Sequence, residues 1–177
     1  MADSSTPRTT RPLRRVTRSV VVKAPLSAAY KQWVDLETFP DFLEPVASVS
    51  VTSETYSHWL LSVGRITREF DAEILEQIPD DHLSWRTIGG DLAFTGRADF
   101  AAVDDSSTRV TLSVSWEPHT AAERAAATVG IDARVVASAL RSYAKHLELT
   151  GGPKGRSHVT IKSVDSDDPP PANADRA

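Results

Sequence analysis

Apolar and polar side chains alternate along most of residues 46–116, and this period of two is typical of β-strands with one buried face. The clearest run is ITREFDAEILEQI at residues 66–78. Its buried face is predicted to carry Ile66, Arg68, Phe70, Ala72, Ile74, Glu76 and Ile78. Six further runs have strand character, namely TRSVVVK, VSVTS, HWLLSV, LSWRT, LAFTGRADFA and VTLSVSW. We therefore predict seven strands.

Turn-forming residues separate neighbouring strands. Pro79-Asp80-Asp81, Gly89-Gly90-Asp91 and Asp104 to Ser107 each lie between two alternating runs. Such short polar connections favour tight turns between antiparallel neighbours. The strands after residue 45 are thus predicted to form an antiparallel meander.

Three segments have helical character instead. LSAAYKQWVDL follows the first strand, and TFPDFL then forms a short second helix. A longer helix is predicted from about residue 120 to residue 149, with a kink at Gly130. Its apolar stripe consists of Val129, Ala133, Val136, Leu140, Tyr143 and Leu147. A sheet with one apolar face must bury that face, and this stripe is the surface available to cover it.

The two ends differ in composition from the middle. Residues 1–14 are rich in arginine and are predicted to form a disordered basic arm, with a targeting or anionic-surface role as the alternative. Residues 150–177 are rich in Gly, Pro and Asp and are predicted to be disordered. The folded, ligand-binding domain is predicted to span residues 15–149.

Composition narrows the function classes. The chain is 40% hydrophobic and 25% charged, with a net charge of -4, which gives no reason to expect a nucleic-acid partner. It contains no cysteine and no apolar run long enough to span a membrane. We expect a cytoplasmic protein without stable membrane insertion; the oligomeric state is left open.

Three segments carry a family resemblance. VVVKAPLSAAYKQWVDLETFPDFL resembles the opening of the START-like (SRPBCC) superfamily, in the branch of polyketide cyclases/dehydratases and coenzyme-Q-binding proteins. REFDAEILEQIPDDHLSWR is similar to the central hairpin of that branch, and TRVTLSVSWEP to its last strand. The resemblance covers about residues 16–149. It implies an α+β helix-grip fold: a curved seven-stranded antiparallel sheet around a long C-terminal helix, with two short helices after the first strand.

Arg68 is the candidate catalytic residue, because it interrupts the apolar face of the clearest strand. One hypothesis is that its cation stabilises an anionic or enolate group of a ligand. The other is a structural ion pair, for example with Glu76, or a bulge that turns it outward. The cyclases that this chain resembles place an arginine just before the Val/Ile-Pro-Asp that ends the central strand. Glu76 and Gln77 occupy that place here, so a cyclase would need Arg68 as substitute.

The remaining candidates are aromatic. In a helix-grip fold the segment TFPDFL borders an internal cavity, and the inward aromatic side chains of the sheet line that cavity or fill a solid core. The predicted cavity residues are Phe39, Phe42, Trp59, Arg68, Phe70, Trp85, Phe94 and Tyr143. The five histidines are scattered, and neither a metal site nor a cofactor is predicted.

Three functions remain open at this point. The first is binding of a small hydrophobic molecule, such as a quinone, a lipid or a polyketide. The second is a polyketide cyclase or dehydratase that acts by positioning its substrate. The third is an interaction module without a ligand.

Overall fold

The computed structural model describes residues 13–117 and 133–152. In these parts the chain forms β1 (Arg14–Val22), α1 (Leu26–Val34), a 3-10 helix (Leu36–Asp41), β2 (Val46–Val51), β3 (Tyr56–Val63), β4 (Ile66–Ile78), β5 (His82–Gly90), β6 (Thr95–Asp104), β7 (Ser107–Trp116) and a second α-helix, α2 (Ala133–Thr150). The predicted helix from residue 120 to residue 132, the kink at Gly130 and most of both predicted disordered ends lie outside the described residues.

All seven strands belong to one antiparallel sheet with the order β1-β7-β6-β5-β4-β3-β2. From β2 to β7 each strand pairs with its successor, so the predicted meander is confirmed. β1 lies at one edge of the sheet and pairs with β7, where Val16 is opposite Val114 and Val20 is opposite Val110. This sheet, the short helices after β1 and the long C-terminal helix confirm the predicted α+β, helix-grip-like fold.

Helix α2 packs on the sheet through the predicted stripe. Val136, Leu140, Tyr143 and Leu147 are all buried and belong to the main hydrophobic core. The helix ends where Gly151 takes a positive φ of 71° and its N–H donates to the carbonyl of Leu147. Glycine is the usual residue at this position because it adopts the left-handed conformation without steric cost.

Helix α1 joins α2 to the sheet. The Tyr143 hydroxyl donates a 2.6 Å hydrogen bond to the backbone carbonyl of Ala29 in α1. Trp33 of α1 makes an edge-to-face contact with the Tyr143 ring at 5.0 Å and another with Phe100 of β6 at 6.1 Å. Such aromatic pairs contribute roughly 0.5–1.5 kcal/mol beyond the area they bury. The three elements therefore form one packed unit at this end of the core.

Strand β4 departs from the alternation predicted for it. Its register against β5 shifts between Ile74 and Glu76, which is the signature of a β-bulge. Beyond the bulge, Gln77 pairs with the buried Leu83 and is itself only 7% exposed. Glu76 turns to the opposite face, where it contacts His82. The prediction that Glu76 shares the buried face was therefore wrong, because one extra residue reverses all later side chains.

Candidate functional site

An apolar cavity of about 190 Å³, partly open to solvent, lies between the sheet, the 3-10 helix and the two α-helices. Its walls come from every helix and strand of the described fold except β1 and β6, together with Phe42 and Leu43 after the 3-10 helix and Leu92 and Phe94 between β5 and β6. The residues that line it are Trp33, Leu36, Phe39, Phe42, Leu43, Val46, Ser57, Trp59, Leu61, Phe70, Ala72, Ile74, Leu83, Trp85, Leu92, Phe94, Leu112 and Ala139.

The sheet side of the cavity follows from cross-strand pairing. Trp59 of β3 is directly opposite Phe70 of β4, and their rings stack with an interplanar angle of 8° at 5.9 Å. Phe70 also meets Phe94 edge-on at 5.4 Å. One strand further, Ile74 pairs with Trp85. Alternation brings these side chains to one face, and directly opposed side chains lie close enough to form a continuous wall.

The opposite wall is formed by Phe39 of the 3-10 helix and by Phe42, which directly follows it. Phe39 is 6% exposed and packs edge-on against Trp33 at 5.6 Å and Trp59 at 5.2 Å. Phe42 is half-buried and contacts Phe39 at 5.0 Å. Pro40 lies inside this short helix and cannot donate a backbone hydrogen bond, which favours a tight turn over a longer helix. The segment TFPDFL therefore borders the cavity, with Phe39 in the wall and Phe42 nearer to solvent.

Six of the eight predicted cavity residues line the cavity. They are Phe39, Phe42, Trp59, Phe70, Trp85 and Phe94. Whether they contact a ligand stays a prediction. Tyr143 lies beside them but is fully buried in the core, and burial raises the pKa of its phenol well above the usual range. Its ring supports α1 and does not form part of the cavity wall.

Arg68 is not among the residues that line the cavity, and whether it contacts a ligand stays a prediction. It pairs with Leu61, a lining residue, and thus occupies the expected face of β4. However, the first four residues of β4 are all exposed, since the strand runs beyond the part of the sheet that is covered. There the Arg68 Nη1 donates to the carbonyl of Thr67 at 3.2 Å. An arginine on an exposed strand end needs no buried partner, which removes the reason for assigning it a catalytic role.

The sequence interpretation missed most aliphatic lining residues, and it missed Ser57. This serine is the single lining residue with a hydroxyl, amide or ionisable side chain among those the structure describes. It is two positions before Trp59 on β3, so continuing the alternation of HWLLSV backwards by one step would have placed it on the cavity face.

Two groups of charged side chains on β4 and β5 lie on the other face of the sheet. Glu73, between the lining residues Ala72 and Ile74, is 2% exposed and holds Arg86 through contacts of 2.6 and 2.7 Å to one carboxylate oxygen. His82 lies between Asp81 and Glu76, with ring nitrogens 2.7 and 2.8 Å from their oxygens. A cross-strand pair of opposite charge such as Glu73 and Arg86 stabilises a sheet, and the two carboxylates beside His82 hold its ring in place.

Neither a metal centre nor a membrane span is found in the parts of the chain that the structure describes. No group of three or more His, Cys, Asp or Glu side chains there is arranged to hold a metal ion. No helix among the same residues is both long and apolar enough to cross a bilayer.

Fold and cavity together define a helix-grip protein with an internal apolar site. Comparison with known proteins gives the family. Residues 22–141 match the family described as polyketide cyclase / dehydrase and lipid transport. The chain belongs to this family, which lies within the START-like (SRPBCC) superfamily named in the sequence analysis.

The chain is also similar to individual known proteins. An uncharacterized 17.2 kDa protein from Streptomyces lincolnensis is 35% identical over 143 residues, which cover 81% of this chain and 95% of the relative. Among solved structures, the ZhuI aromatase/cyclase from a Streptomyces species has a TM-score of 0.67 at 15% identity, covering 77% of this chain and 94% of its own. A START superfamily protein from Mycobacterium smegmatis has a TM-score of 0.61 at 13% identity, with 75% and 98% covered. The two structural similarities show a shared fold.

Proposed function

We propose that this protein binds a small, neutral, hydrophobic molecule in the cavity between the sheet and its helices. The observation that carries the proposal is the chemistry of the cavity wall, where one serine hydroxyl interrupts a lining of aromatic and aliphatic side chains. Ligand sites are typically concave and mostly apolar, with a few polar groups that fix orientation. A quinone, a lipid or a polyketide-like ring compound fits this description.

The volume limits how much of the ligand is enclosed. An apolar cavity of about 150 Å³ in another protein stays dry and binds benzene. A cavity of about 190 Å³ therefore suits one ring or two fused rings, or the ring-containing part of a longer molecule whose tail leaves through the open side. Because no cation lines the described wall, a carboxylate would lose its hydration without compensation. This favours neutral ligands.

A cyclase mechanism receives less support from the site. General acid–base catalysis needs a titratable group within hydrogen-bonding distance of the substrate. None of the lining residues named above is an acid, a histidine, a lysine, an arginine or a tyrosine. Arg68, on which the cyclase hypothesis depended, is exposed on the end of β4. We therefore assign this chain a binding role.

A cavity-filling variant tests the proposal. Ala139 of α2 lines the cavity, whereas Ser138, its neighbour on the same helix, is exposed. Ala139→Phe places a ring in the ligand's space, and Ser138→Phe adds the same ring on the solvent side. The probe is N-phenyl-1-naphthylamine, a neutral dye that fluoresces in apolar sites.

We expect the wild type and Ser138→Phe to bind the dye equally and Ala139→Phe to bind at least tenfold more weakly, with circular dichroism spectra alike for all three. Equal binding by both variants would show that the dye occupies another site. Absence of dye binding by the wild type up to the solubility limit would contradict the proposal and leave the interaction module as the better hypothesis.

A further inference from the structure

Ser57 differs in chemistry from the rest of the cavity wall. It lies on β3, opposite Ala72 of β4, and only 4% of it is exposed. A hydroxyl buried without partners costs roughly 1–3 kcal/mol, so its hydrogen bonds must be accounted for.

One of those hydrogen bonds is made within the protein. The indole Nε1 of Trp59 donates to the Ser57 Oγ at 2.9 Å. This bond uses the oxygen as an acceptor, but a serine hydroxyl also carries one proton to donate. Within residues 13–117 and 133–152, no acceptor for that proton is found. Trp59 therefore holds the oxygen in place while the proton remains available to a molecule in the cavity.

Trp85 is the other tryptophan that the sheet contributes to the cavity wall, and its indole does not hydrogen-bond to Ser57. Trp85 lies flat against β6, and its ring occupies the space where a Cβ on Gly96 would stand, with Nε1 2.8 Å from that position. Its N–H group thus lies over the backbone of the neighbouring strand. Ser57 is left as the oriented donor on this wall.

We propose that Ser57 is the specificity-determining residue of the site and donates a hydrogen bond to an oxygen acceptor on the ligand. The cavity then selects ring compounds that carry a carbonyl oxygen over hydrocarbons of the same shape. This inference rests on the proposed function, since it names the class of molecule that the same cavity takes. It is the sort of selection in which one polar group fixes the orientation of an otherwise apolar ligand.

A pair of probes matched in shape tests it. Tetralin is a two-ring hydrocarbon, and 1-tetralone is the same skeleton with one ketone oxygen. Dissociation constants for both are measured by isothermal titration calorimetry on the wild type, Ser57→Ala and Ser57→Thr. Alanine removes the hydroxyl, and threonine keeps it. The tetralin affinity of each variant is the internal control for changes in cavity shape.

Because a neutral hydrogen bond contributes modestly, the wild type is expected to prefer 1-tetralone over tetralin, and Ser57→Ala is expected to reduce that preference by roughly three- to tenfold. Ser57→Thr should keep the preference. The same preference in the wild type and Ser57→Ala would overturn the assignment of Ser57 and leave the proposed function intact. Failure of both probes to bind the wild type would overturn the proposed function as well.

Discussion

The contact between Trp85 and Gly96 links the sheet to the size of the cavity. A Cβ added to Gly96 would overlap the Trp85 ring atoms Cζ2 and Cε2 and would lie 2.8 Å from Nε1. Contacts below 3.4 Å are rare for real Cβ atoms, so Gly96→Ala requires the indole to move by about 1 Å. The backbone of β6 blocks one direction, and the cavity is open in the other. The ring is therefore expected to move into the cavity.

The size of the effect follows from the geometry. A ring face of roughly 40 Å² displaced by about 1 Å sweeps out roughly 40 Å³ in a packed interior. This is about a fifth of the cavity volume of 190 Å³. At about 24 cal/mol per Å³, the lost space corresponds to about 1 kcal/mol, or about a fivefold weaker affinity for a ligand that fills the cavity. Overpacking should cost about 1–3 kcal/mol of stability, partly offset by the conformational gain of replacing glycine.

Gly89→Ala is the matched control, since a Cβ there would meet only the Asp71 Oδ2 at an ordinary 3.7 Å. Tetralin affinity by calorimetry and unfolding free energy by urea titration are measured for both variants. A third comparison makes the Gly96→Ala change in a Trp85→Phe background, where the overlapping ring atoms are missing and the effect on affinity should largely vanish. Unchanged affinity and stability in Gly96→Ala would refute the placement of Trp85 against β6.

Three further variants test other parts of the structure. Leu140→Ala should destabilise the fold by roughly 2–5 kcal/mol, because Leu140 is 1% exposed, whereas Leu149→Ala on the same helix, at 77% exposed, should change the urea midpoint little. Arg68→Ala should leave tetralin affinity unchanged, and a tenfold loss would return Arg68 to the site. Burial raises the pKa of Tyr30 to about 12, so above pH 10 the unfolded chain loses this proton first, and Tyr30 should add about 1.4 kcal/mol per pH unit to the fall in stability up to pH 12, on top of the fall caused by the buried Tyr143. Tyr30→Phe should reduce that slope by the same amount, and an unchanged slope would contradict the burial of the phenol.

The fold could be predicted because it depends on patterns that many residues share. Alternation placed Leu112, Val114 and Phe100 on the buried face, and the structure buries all three. The helical stripe through Leu140 and Tyr143 could be predicted for the same reason. Apolar residues at spacings of three and four fall on one face of a helix, and that is the face that packs on the sheet.

Parts of the site depend on single residues, and these were predicted less well. The bulge after Ile74 is one extra residue without a glycine or proline to mark it, yet it exchanges the positions of Glu76 and Gln77. Arg68 was assigned to the correct face of β4, but it lies in the part of the strand that the helices leave exposed. Tertiary packing decides how far along a strand the covered part extends, and the alternation of residues does not show this. Ser57 was missed because a serine next to aromatic residues resembles a strand end until its hydrogen bond to Trp59 is known.

Native mass spectrometry of the purified protein tests the central claim, that the cavity holds a small hydrophobic molecule, most directly. The wild type, Ala139→Phe and Ser138→Phe are expressed and purified identically and sprayed from ammonium acetate, with added 1-tetralone as a positive control. We predict a bound neutral species on the wild type and on Ser138→Phe, whether retained from the cell or supplied as 1-tetralone, and its absence from Ala139→Phe. A wild type that carries no molecule and takes up none of the added ketone, or an Ala139→Phe variant that binds as the wild type does, would contradict the claim.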